Sequence, residues 1–516
     1  MDTKKTVMAV AIAIGLALGT QARGQGFGGR GPEVSLETKG ATLAILEEIE
    51  KNSELMKNIE YLCDMIGPRL TGSDKLKRAN EWTRDKFKEY GLANAHLESY
   101  TIAHGWTRGT ASGRVVAPTE QRLLLESAGW APSTPGAVKG PVVHVKAEKI
   151  ADLDAYKGKL KGAWVVTAEV SVQPTPRKPE PDMFAQMQRG NRPRVNFEER
   201  MKFMAALRDF LVAEGAAGLL IDSNKEHGLV NMTGATYDFT ISKLPVAFLT
   251  TESFGLIWRL MKRGPVEIEI DIKNSVTDGE VEVYNTVAEL PGTDKPDEVV
   301  IIGGHLDSWD LGTGATDNGT GTMAVLEAAR ALKAAGAKPK RTIRFILFSG
   351  EEEGLHGSKA YVKAHEKELD KISAVLVHDT GTGRVKSIGL LGRYDLREDL
   401  DKVVAPFQRE LNLDELSMRG LGGGTDHASF YPLGVPAFAC TQDMAEYRKT
   451  HHTESDTFDK VYPDEVNQGA KVLAAFAYNV AMLDHLLPRA PKKDGSPGQR
   501  LAAPAREEKP KATAGN

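Results

Sequence analysis

Three short apolar segments, each ending in or followed by histidine or carboxylate side chains, constrain the fold of this chain most strongly. They are residues 299–304, 341–349 and 372–379, and β-branched residues recur in all three. Such segments are typical of buried strands in a parallel sheet. In α/β sheets, ligands collect beyond the carboxyl ends of the strands. The pattern therefore predicts an α/β fold with a polar site at one edge of its sheet.

The first segment is followed by His305 and, two residues later, by Asp307. Side chains at this spacing point to the same side of an extended chain. Asp307 could then accept the second ring N–H of a metal-bound His305 and fix its tautomer. The alternative is an ordinary surface histidine beside a turn.

Asp317 lies in a glycine-rich stretch, immediately before a predicted helix over residues 319–336. Aspartate is a common helix N-cap, which is one interpretation of this residue. Its two carboxylate oxygens could instead bridge two metal ions. The glycine-rich surroundings favour this specialised backbone over a plain cap.

The second segment is followed by three consecutive glutamates, Glu351, Glu352 and Glu353. A run of like charges is usually a solvated surface, but this run follows a predicted buried strand. Because neighbouring side chains point in different directions, Glu351 and Glu352 should have different roles. One could bind a metal while the other faces a metal-bound water molecule.

The third segment ends in His378 and Asp379, which strand alternation places on opposite faces. These two residues should therefore not both be ligands of one site. His451 and His452 lie in a polar loop before a predicted helix over residues 463–487. Adjacent histidines are candidate ligands, although such a pair is more often not a metal site.

The order of these residues resembles the family of co-catalytic zinc aminopeptidases and glutamate carboxypeptidases, most closely its plasma glutamate carboxypeptidase group. Residues 305–310, 314–319, 423–427 and 452–457 carry the resemblance, which extends from about 45 to 487. It implies an α/β fold with a mixed, mostly parallel central sheet flanked by helices. It also implies an inserted, mainly-β domain like protease-associated domains, and a cis peptide after Asp317.

The resemblance further implies two zinc ions per chain and a role for each candidate residue. His305 and Asp379 would hold one ion, and Glu352 and His452 the other, with Asp317 bridging them, Glu351 as the general base and Asp307 orienting His305. His452 is preferred to His451 because it directly precedes Thr453 in the family's pattern. Cobalt or manganese could also occupy such a site.

The implied activity is zinc-dependent hydrolysis of peptide bonds at the ends of short peptides or dipeptides. An aminopeptidase or dipeptidase is expected. A glutamate-type metallocarboxypeptidase is the main alternative, and its carboxylate-binding pocket would need arginines such as Arg69, Arg393 or Arg448. A non-catalytic, receptor-like relative would be expected to lose ligands, whereas all six positions are intact here. A single-zinc cyclase or amidohydrolase would require a disrupted second site.

One departure from the family concerns the oxyanion. Some members carry a tyrosine shortly before the Asp–His pair that corresponds to Asp426 and His427, but residues 419–424 contain none. Backbone N–H groups, the metals or a substrate-binding His427 could stabilise the oxyanion instead.

The domain boundaries are expected as follows. Residues 41–110 and 286–487 would form the peptidase domain, and residues 111–285 the inserted domain, which would cover the cleft and limit substrate length. Residues 23–40 would be a linker, residues 173–194 a lid-like excursion and residues 488–516 a disordered tail.

Residues 1–22 combine lysines, an apolar stretch and a small-residue end, as in a signal peptide, and the stretch is short for a membrane anchor. An exported protein, periplasmic or secreted, is expected, without a membrane span in its mature form. The net charge of −4 argues against a nucleic-acid partner. The two cysteines, Cys63 and Cys440, allow at most one disulfide, and a homodimer is conceivable.

Overall fold

A computed structural model describes residues 35–169, 197–444 and 446–490. The expected signal peptide, most of the linker, the excursion at 173–194 and all but the first residues of the expected tail lie outside the described residues. Within them, no helix is long and apolar enough to cross a membrane.

The described residues form fifteen strands, numbered here in chain order. Their bounds are β1 Ala93–Ile102, β2 Trp106–Ala117, β3 Gln121–Leu123, β4 Leu125–Ser127, β5 Val138–His144, β6 Trp164–Val166, β7 Gly218–Asp222, β8 Val246–Leu249, β9 Glu267–Val276, β10 Val281–Leu290, β11 Lys295–His305, β12 Arg341–Phe348, β13 Ile372–Val377, β14 Val385–Ile388 and β15 Ala437–Gln442.

Ten α-helices lie within the described residues, together with shorter helical turns. Their bounds are α1 Leu36–Asn52, α2 Leu55–Glu60, α3 Asp74–Glu89, α4 Phe197–Ala213, α5 Thr251–Met261, α6 Thr320–Ala334, α7 His356–Ala364, α8 Arg397–Gln408, α9 Tyr447–Thr450 and α10 Pro463–Ala481. Local sequence explains several starts: Ser73 and Thr250 cap α3 and α5 by accepting a backbone N–H, and α10 begins with proline and two acidic residues.

The first sheet has seven strands in the order β1-β10-β12-β11-β13-β15-β14. Strands β12, β11, β13 and β15, which are adjacent in the sheet, pair in parallel. Strands β1, β10 and β14 pair antiparallel with their neighbours. The mixed α/β fold is thus confirmed, with the parallel part confined to four adjacent strands. Those strands are buried because helices cover both faces, as the apolar segments predicted.

The two faces of this sheet bury separate apolar cores. On one face, Met323 and Leu326 of α6 and Leu473 of α10 pack with Val300 and Ile302. On the other face, Ile301, Ile346 and Val375 pack with Tyr361 of α7 and with Phe430. Cys63 and Cys440 are both buried and both free in this structure.

The second sheet has eight strands in the order β3-β2-β9-β5-β6-β7-β8-β4, all between β1 and β10 in sequence. Helices α5 and α4 contribute Phe254 and Leu207 to the cores on its two sides. A further apolar cluster, including Trp106, Trp130, Phe239 and Trp309, joins this sheet to a loop that follows β11. The second sheet therefore packs directly against the carboxyl edge of the first.

Candidate metal centre

Three adjacent parallel strands bring the predicted residues to one edge of the first sheet. His305 is the last residue of β11, Glu351 and Glu352 follow β12, and Asp379 follows β13. Asp317 lies in the turn before α6, and His452 follows α9. The fold thus assembles residues that are far apart in sequence because strand ends of the same polarity meet at the same edge.

His305, Glu351 and Asp379 form one cluster of side chains that could hold a metal ion. Their ligand atoms all lie within 4.8 Å of one another. His305 is fully buried, and its Nε2 atom lies 3.1 Å from Oδ1 of Asp379. Burial lowers the pKa of His305, but the neighbouring carboxylates outweigh burial and raise this pKa well above its usual value.

Asp317, His451 and His452 form a second cluster, again with ligand atoms within 4.8 Å of one another. Glu352 joins it, because its Oε2 atom lies 2.9 Å from Nε2 of His452. The two histidine rings stack at 3.6 Å, and His452 has the less exposed side chain, 17% against 37%.

Asp317 lies between the two clusters. Its Oδ1 atom is 3.4 Å from Nε2 of His305, and its Oδ2 atom is 3.5 Å from Nε2 of His452. The peptide between Asp317 and Asn318 is cis. The carboxylate of Asp456 holds the turn by accepting the backbone N–H groups of Thr316, at 2.6 Å, and Asp317, at 3.1 Å.

The electrostatics of this edge fit a divalent cation. Oδ2 of Asp317 and Oε1 of Glu352 are buried and have no hydrogen-bond partner among the described residues. Burial and the charge of Asp317 raise the pKa of Glu352 well above its usual value. Buried carboxylates are costly unless they are compensated, and histidine nitrogens with carboxylate oxygens are a donor set that zinc accepts.

The orientation of His305 differs in one respect from the prediction. Its Nδ1 atom lies 3.1 Å from the backbone oxygen of Asp307 and 3.6 Å from the carboxylate. The carboxylate of Asp307 instead accepts hydrogen bonds from Thr71, at 3.3 Å, and from the backbone N–H of Glu352, at 3.2 Å. Asp307 therefore contacts both the histidine and the glutamate loop.

The three glutamates have different surroundings, as strand-end geometry predicts. Glu351 belongs to the cluster with His305, and Glu352 contacts His452. Glu353 is buried, and burial together with the charge of Asp307 raises the pKa of its carboxyl group. For Glu351, burial and the nearby charges of Asp379 and two further aspartates raise the pKa well above its usual value.

His427 is buried outside both clusters. Its Nε2 atom lies 2.7 Å from the backbone oxygen of Leu421, and burial lowers its pKa to about 4. Its imidazole is consequently neutral at physiological pH.

All three candidate arginines contact protein groups. The guanidinium of Arg69 is fully buried and donates to the backbone oxygens of Leu306, Gly67, Thr313 and Gly314. Arg393 pairs with Asp395. Arg448 donates to the backbone oxygen of Asn224.

Sequence reasoning missed Tyr447 and Asp456. Tyr447 opens α9, and burial with the charges of Asp317, Asp379 and Glu352 raises its pKa well above the usual value. Its place directly upstream of the two histidines was the available signal. Asp456 belongs to the His-Thr-x-x-Asp pattern, and its buried position beside Asp317 explains why an aspartate stands there.

Comparisons with known proteins agree with this architecture. A model of peptidase family M28 matches residues 285–477. Carboxypeptidase Q from Xenopus laevis is 31% identical over 441 residues, which cover 84% of this chain and 87% of that protein. The chain therefore belongs to peptidase family M28.

Solved structures extend the likeness to the whole fold. A peptidase M28 precursor from Shewanella amazonensis matches with a TM-score of 0.74 and 28% identity, covering 88% of this chain and 99% of that chain. An aminopeptidase from an Aneurinibacillus strain matches with a TM-score of 0.61 and 22% identity, covering 87% and 98%. Both alignments include the second sheet as well as the first, since their coverage far exceeds residues 285–477.

Proposed function

We propose that this chain is a zinc-dependent exopeptidase that hydrolyses the terminal bond of short peptides. The observation that carries the proposal is the position of Asp317, whose two oxygens face His305 at 3.4 Å and His452 at 3.5 Å. A carboxylate shared between two histidine-containing clusters is the arrangement that a pair of metal ions needs. Membership of a peptidase family supplies the class of reaction.

Two zinc ions would divide the ligands between them. His305 and Asp379 would hold one ion, and Glu352 and His452 the other, with Asp317 shared. Bound zinc would polarise the scissile carbonyl group and lower the pKa of a water molecule. Asp307 would fix the position of His305 relative to Glu352, because its backbone oxygen contacts the histidine and its carboxylate accepts the backbone N–H of Glu352.

Glu351 would move the proton. Its carboxyl group lies in the cluster with His305 and Asp379, where it could face the attacking water molecule. Glu351 would take a proton from the attacking water molecule and deliver it to the leaving amine. Positioned proton transfer of this kind contributes typically about 10²–10⁴-fold to a rate.

Action at the amino terminus, or on dipeptides, is the form we favour. Arg69 and Arg393, two of the arginines that a carboxylate-binding pocket could use, are engaged by protein groups. The alternative is a carboxypeptidase, and the relative named carboxypeptidase Q is the observation that favours it. We also propose His427 for substrate contact, because its buried Nδ1 atom has no hydrogen-bond partner among the described residues.

A substrate panel with metal analysis tests the proposal. The full chain is freed of metal, reloaded with zinc and offered dipeptides, peptides with a free amino end and the same peptides with that end blocked. We expect about two zinc ions per chain and cleavage only of unblocked substrates. Cleavage of blocked peptides alone would establish the carboxypeptidase, and zinc-independent hydrolysis or none at all would overturn the proposed function.

Two organisational proposals accompany the activity. The contact of the second sheet with the loop that carries Trp309 supports an inserted domain, expected over residues 111–285, that covers the cleft. The strands of that sheet extend from Trp106 to Val276. Export directed by residues 1–22 follows from their sequence pattern, and comparison of the amino terminus before and after secretion would test it.

A further inference from the structure

The loop that carries His452 is held by a segment of the second-sheet region, here called the clamp segment, residues 225–232. Lys225 donates from its ammonium group to the backbone oxygens of Arg448, at 2.7 Å, and His451, at 2.9 Å. The backbone N–H of Met232 donates to the backbone oxygen of His452 at 2.8 Å. The backbone carbonyls of His451 and of the proposed ligand His452 are thus both fixed by residues outside the first sheet.

A third contact extends the clamp along the same loop. The carboxylate of Glu454 accepts the backbone N–H of Val230 through both oxygens, at 3.0 and 3.2 Å. Residues 225–232 therefore make hydrogen bonds to Arg448, His451, His452 and Glu454. His305 and Asp379, in contrast, lie at or just beyond the ends of strands of the first sheet.

The backbone of His452 explains why such support is needed. Its φ is +59°, in the left-handed region that non-glycine residues seldom adopt. A residue persists in such a conformation only when its surroundings determine it. The hydrogen bonds on the carbonyls of His451 and His452 lie on the two sides of this residue, and so they fix the direction in which the imidazole leaves the backbone.

Lys225 is more than a surface contact. It is only 9% exposed, and burial lowers its pKa to about 8, although the charges of Asp317 and Glu454 act in the opposite direction. A buried ammonium group is costly unless its donors are satisfied. Here two carbonyl oxygens accept hydrogen bonds from two of its three donors, so the cation and the loop stabilise each other.

A second link from this sheet reaches the other side of His452. Arg108 of β2 binds Asp310 through two parallel hydrogen bonds of 2.9 Å. Asp310 follows Trp309, whose ring meets that of His452 edge-on at 6.0 Å. The clamp segment therefore confines His452 on its backbone side. On the ring side it is confined by Trp309, whose neighbour Asp310 is held by Arg108 of the second sheet.

We propose that Lys225 is a positioning residue for His452, so that retention of the second metal ion, at Glu352 and His452, depends on the clamp segment. This inference rests on the proposed function in that it takes His452 for a ligand. The inference predicts different behaviour for the two metal positions, because only the ion at Glu352 and His452 would depend on the clamp segment. The second-sheet region then has a role in metal binding besides covering the cleft.

Zinc titration of five full-length proteins tests the inference. They are the wild type, Lys225→Met, Lys225→Arg and His452→Ala, with Lys243→Met as a matched control at an exposed lysine of the same region. Methionine preserves the length of the lysine side chain but removes its donors and charge, whereas arginine keeps both. The readouts are zinc content against free zinc concentration and the thermal unfolding temperature of the metal-free proteins.

We expect wild type and Lys243→Met to bind two ions. Lys225→Met should bind the first ion normally and the second about 10–100-fold more weakly, as loss of a ligand's supporting contact typically does. High zinc should restore the second ion to Lys225→Met but not to His452→Ala, and Lys225→Arg should recover most of the affinity. The metal-free Lys225→Met protein should unfold at a somewhat lower temperature than the wild type, because it lacks the two hydrogen bonds of the ammonium group, but it should remain folded at the temperature of the titration.

Other results would overturn the inference. Two ions bound by Lys225→Met with wild-type affinity, or equal weakening of both ions, would remove the role assigned to Lys225. If Lys225→Met does not fold, Glu454→Ala removes the third contact of the same clamp and must show the same selective weakening of the second ion. A wild-type protein that binds no zinc would instead refute the proposed function, and with it the inference.

Discussion

Adjacent glutamates at one strand end have separable roles. Glu351 lies in the cluster with His305, whereas Glu352 contacts His452 at 2.9 Å. Glu351→Gln should therefore keep its zinc and lose about 10²–10⁴-fold in kcat, because the amide cannot accept the proton. Glu352→Gln, as the matched variant, should lose the second ion. Zinc content and kcat measured side by side would contradict the assignment if Glu351→Gln were fully active.

Tyr447 is a candidate for the oxyanion donor that the sequence left open. Its phenol is buried beside Asp317, Asp379 and Glu352, and burial together with these charges raises its pKa above the usual value. Tyr447→Phe should lower kcat by about 10²-fold, in the range for loss of one oxyanion donor, with zinc content unchanged. Tyr431→Phe, which removes a hydrogen bond to Gly422 away from the clusters, is the control. A normal kcat in Tyr447→Phe would leave the oxyanion to the metals or to backbone groups.

At the scale of elements, the turn between β11 and α6 depends on one side chain from elsewhere. Asp456 accepts the backbone N–H groups of Thr316 and Asp317, which have to be paired because they are buried. Asp456→Ala should destabilise the protein by about 1–3 kcal/mol for each N–H left without a partner. It should also weaken zinc binding, since Asp317 is carried by the turn.

The control for this variant is Asp459→Ala, an exposed aspartate that follows in the same loop. Urea unfolding of the metal-free proteins measures the loss of stability without the contribution of zinc. Equal stabilities of Asp456→Ala and Asp459→Ala would mean that water replaces the carboxylate and that the turn does not depend on it.

The end of α7 is joined to β1 by an ion pair that responds to pH. His365 lies 3.1 Å from Glu98, and this hydrogen bond raises the pKa of His365 against the opposing effect of burial. The pKa of Glu98 is lowered, because the contacts with His365 and His96 outweigh burial. The other groups that face the pair are Glu368, Arg344 and Tyr361.

The sign of the pH dependence follows from these shifts. The raised pKa of His365 means that its contribution is complete below about pH 6.5 and is lost as pH rises through the folded-state pKa. Glu98 contributes above about pH 4.3 and loses that contribution at lower pH. His365→Gln should therefore destabilise the protein more at pH 6 than at pH 9, by about 0.2–1 kcal/mol for a partly buried pair. Equal losses at both pH values in the unfolding measurements would contradict this assignment.

At the scale of the molecule, the sequence predicted what depends on local pattern. The parallel strands β11, β12 and β13 are continuous apolar segments, so both their existence and the site beyond their ends could be read directly. The antiparallel strand β1 could not be predicted in this way, because nearly all of it is exposed or only partly buried and it carries no continuous apolar run. The mixed character of the sheet came from the resemblance, and the position of its antiparallel edge came from the structure.

The candidate site divides in the same way. His305, Asp317 and the glutamates follow strands or open a helix, and their roles were predicted residue by residue from the family pattern. Tyr447 lies outside the motif in which a tyrosine was sought. Lys225 belongs to a separate sheet, so its contact with the histidine loop depends on how two units fold against each other, which no local signal encodes.

Zinc should also stabilise the whole molecule, because the buried carboxylates gather where the first sheet, the turn at Asp317 and the loop held by the clamp segment meet. Removal of metal leaves these groups uncompensated. An ion present at 100 times its dissociation constant adds about 2.7 kcal/mol to the free energy of unfolding. Thermal unfolding of the wild type should therefore shift upward with zinc, and the shift should be smaller for His452→Ala, which loses one proposed ligand of the second ion. Only ionised carboxylates would be stabilised by the cation. An unfolding temperature that is the same with and without zinc would therefore mean that the carboxylates are protonated and bind no metal.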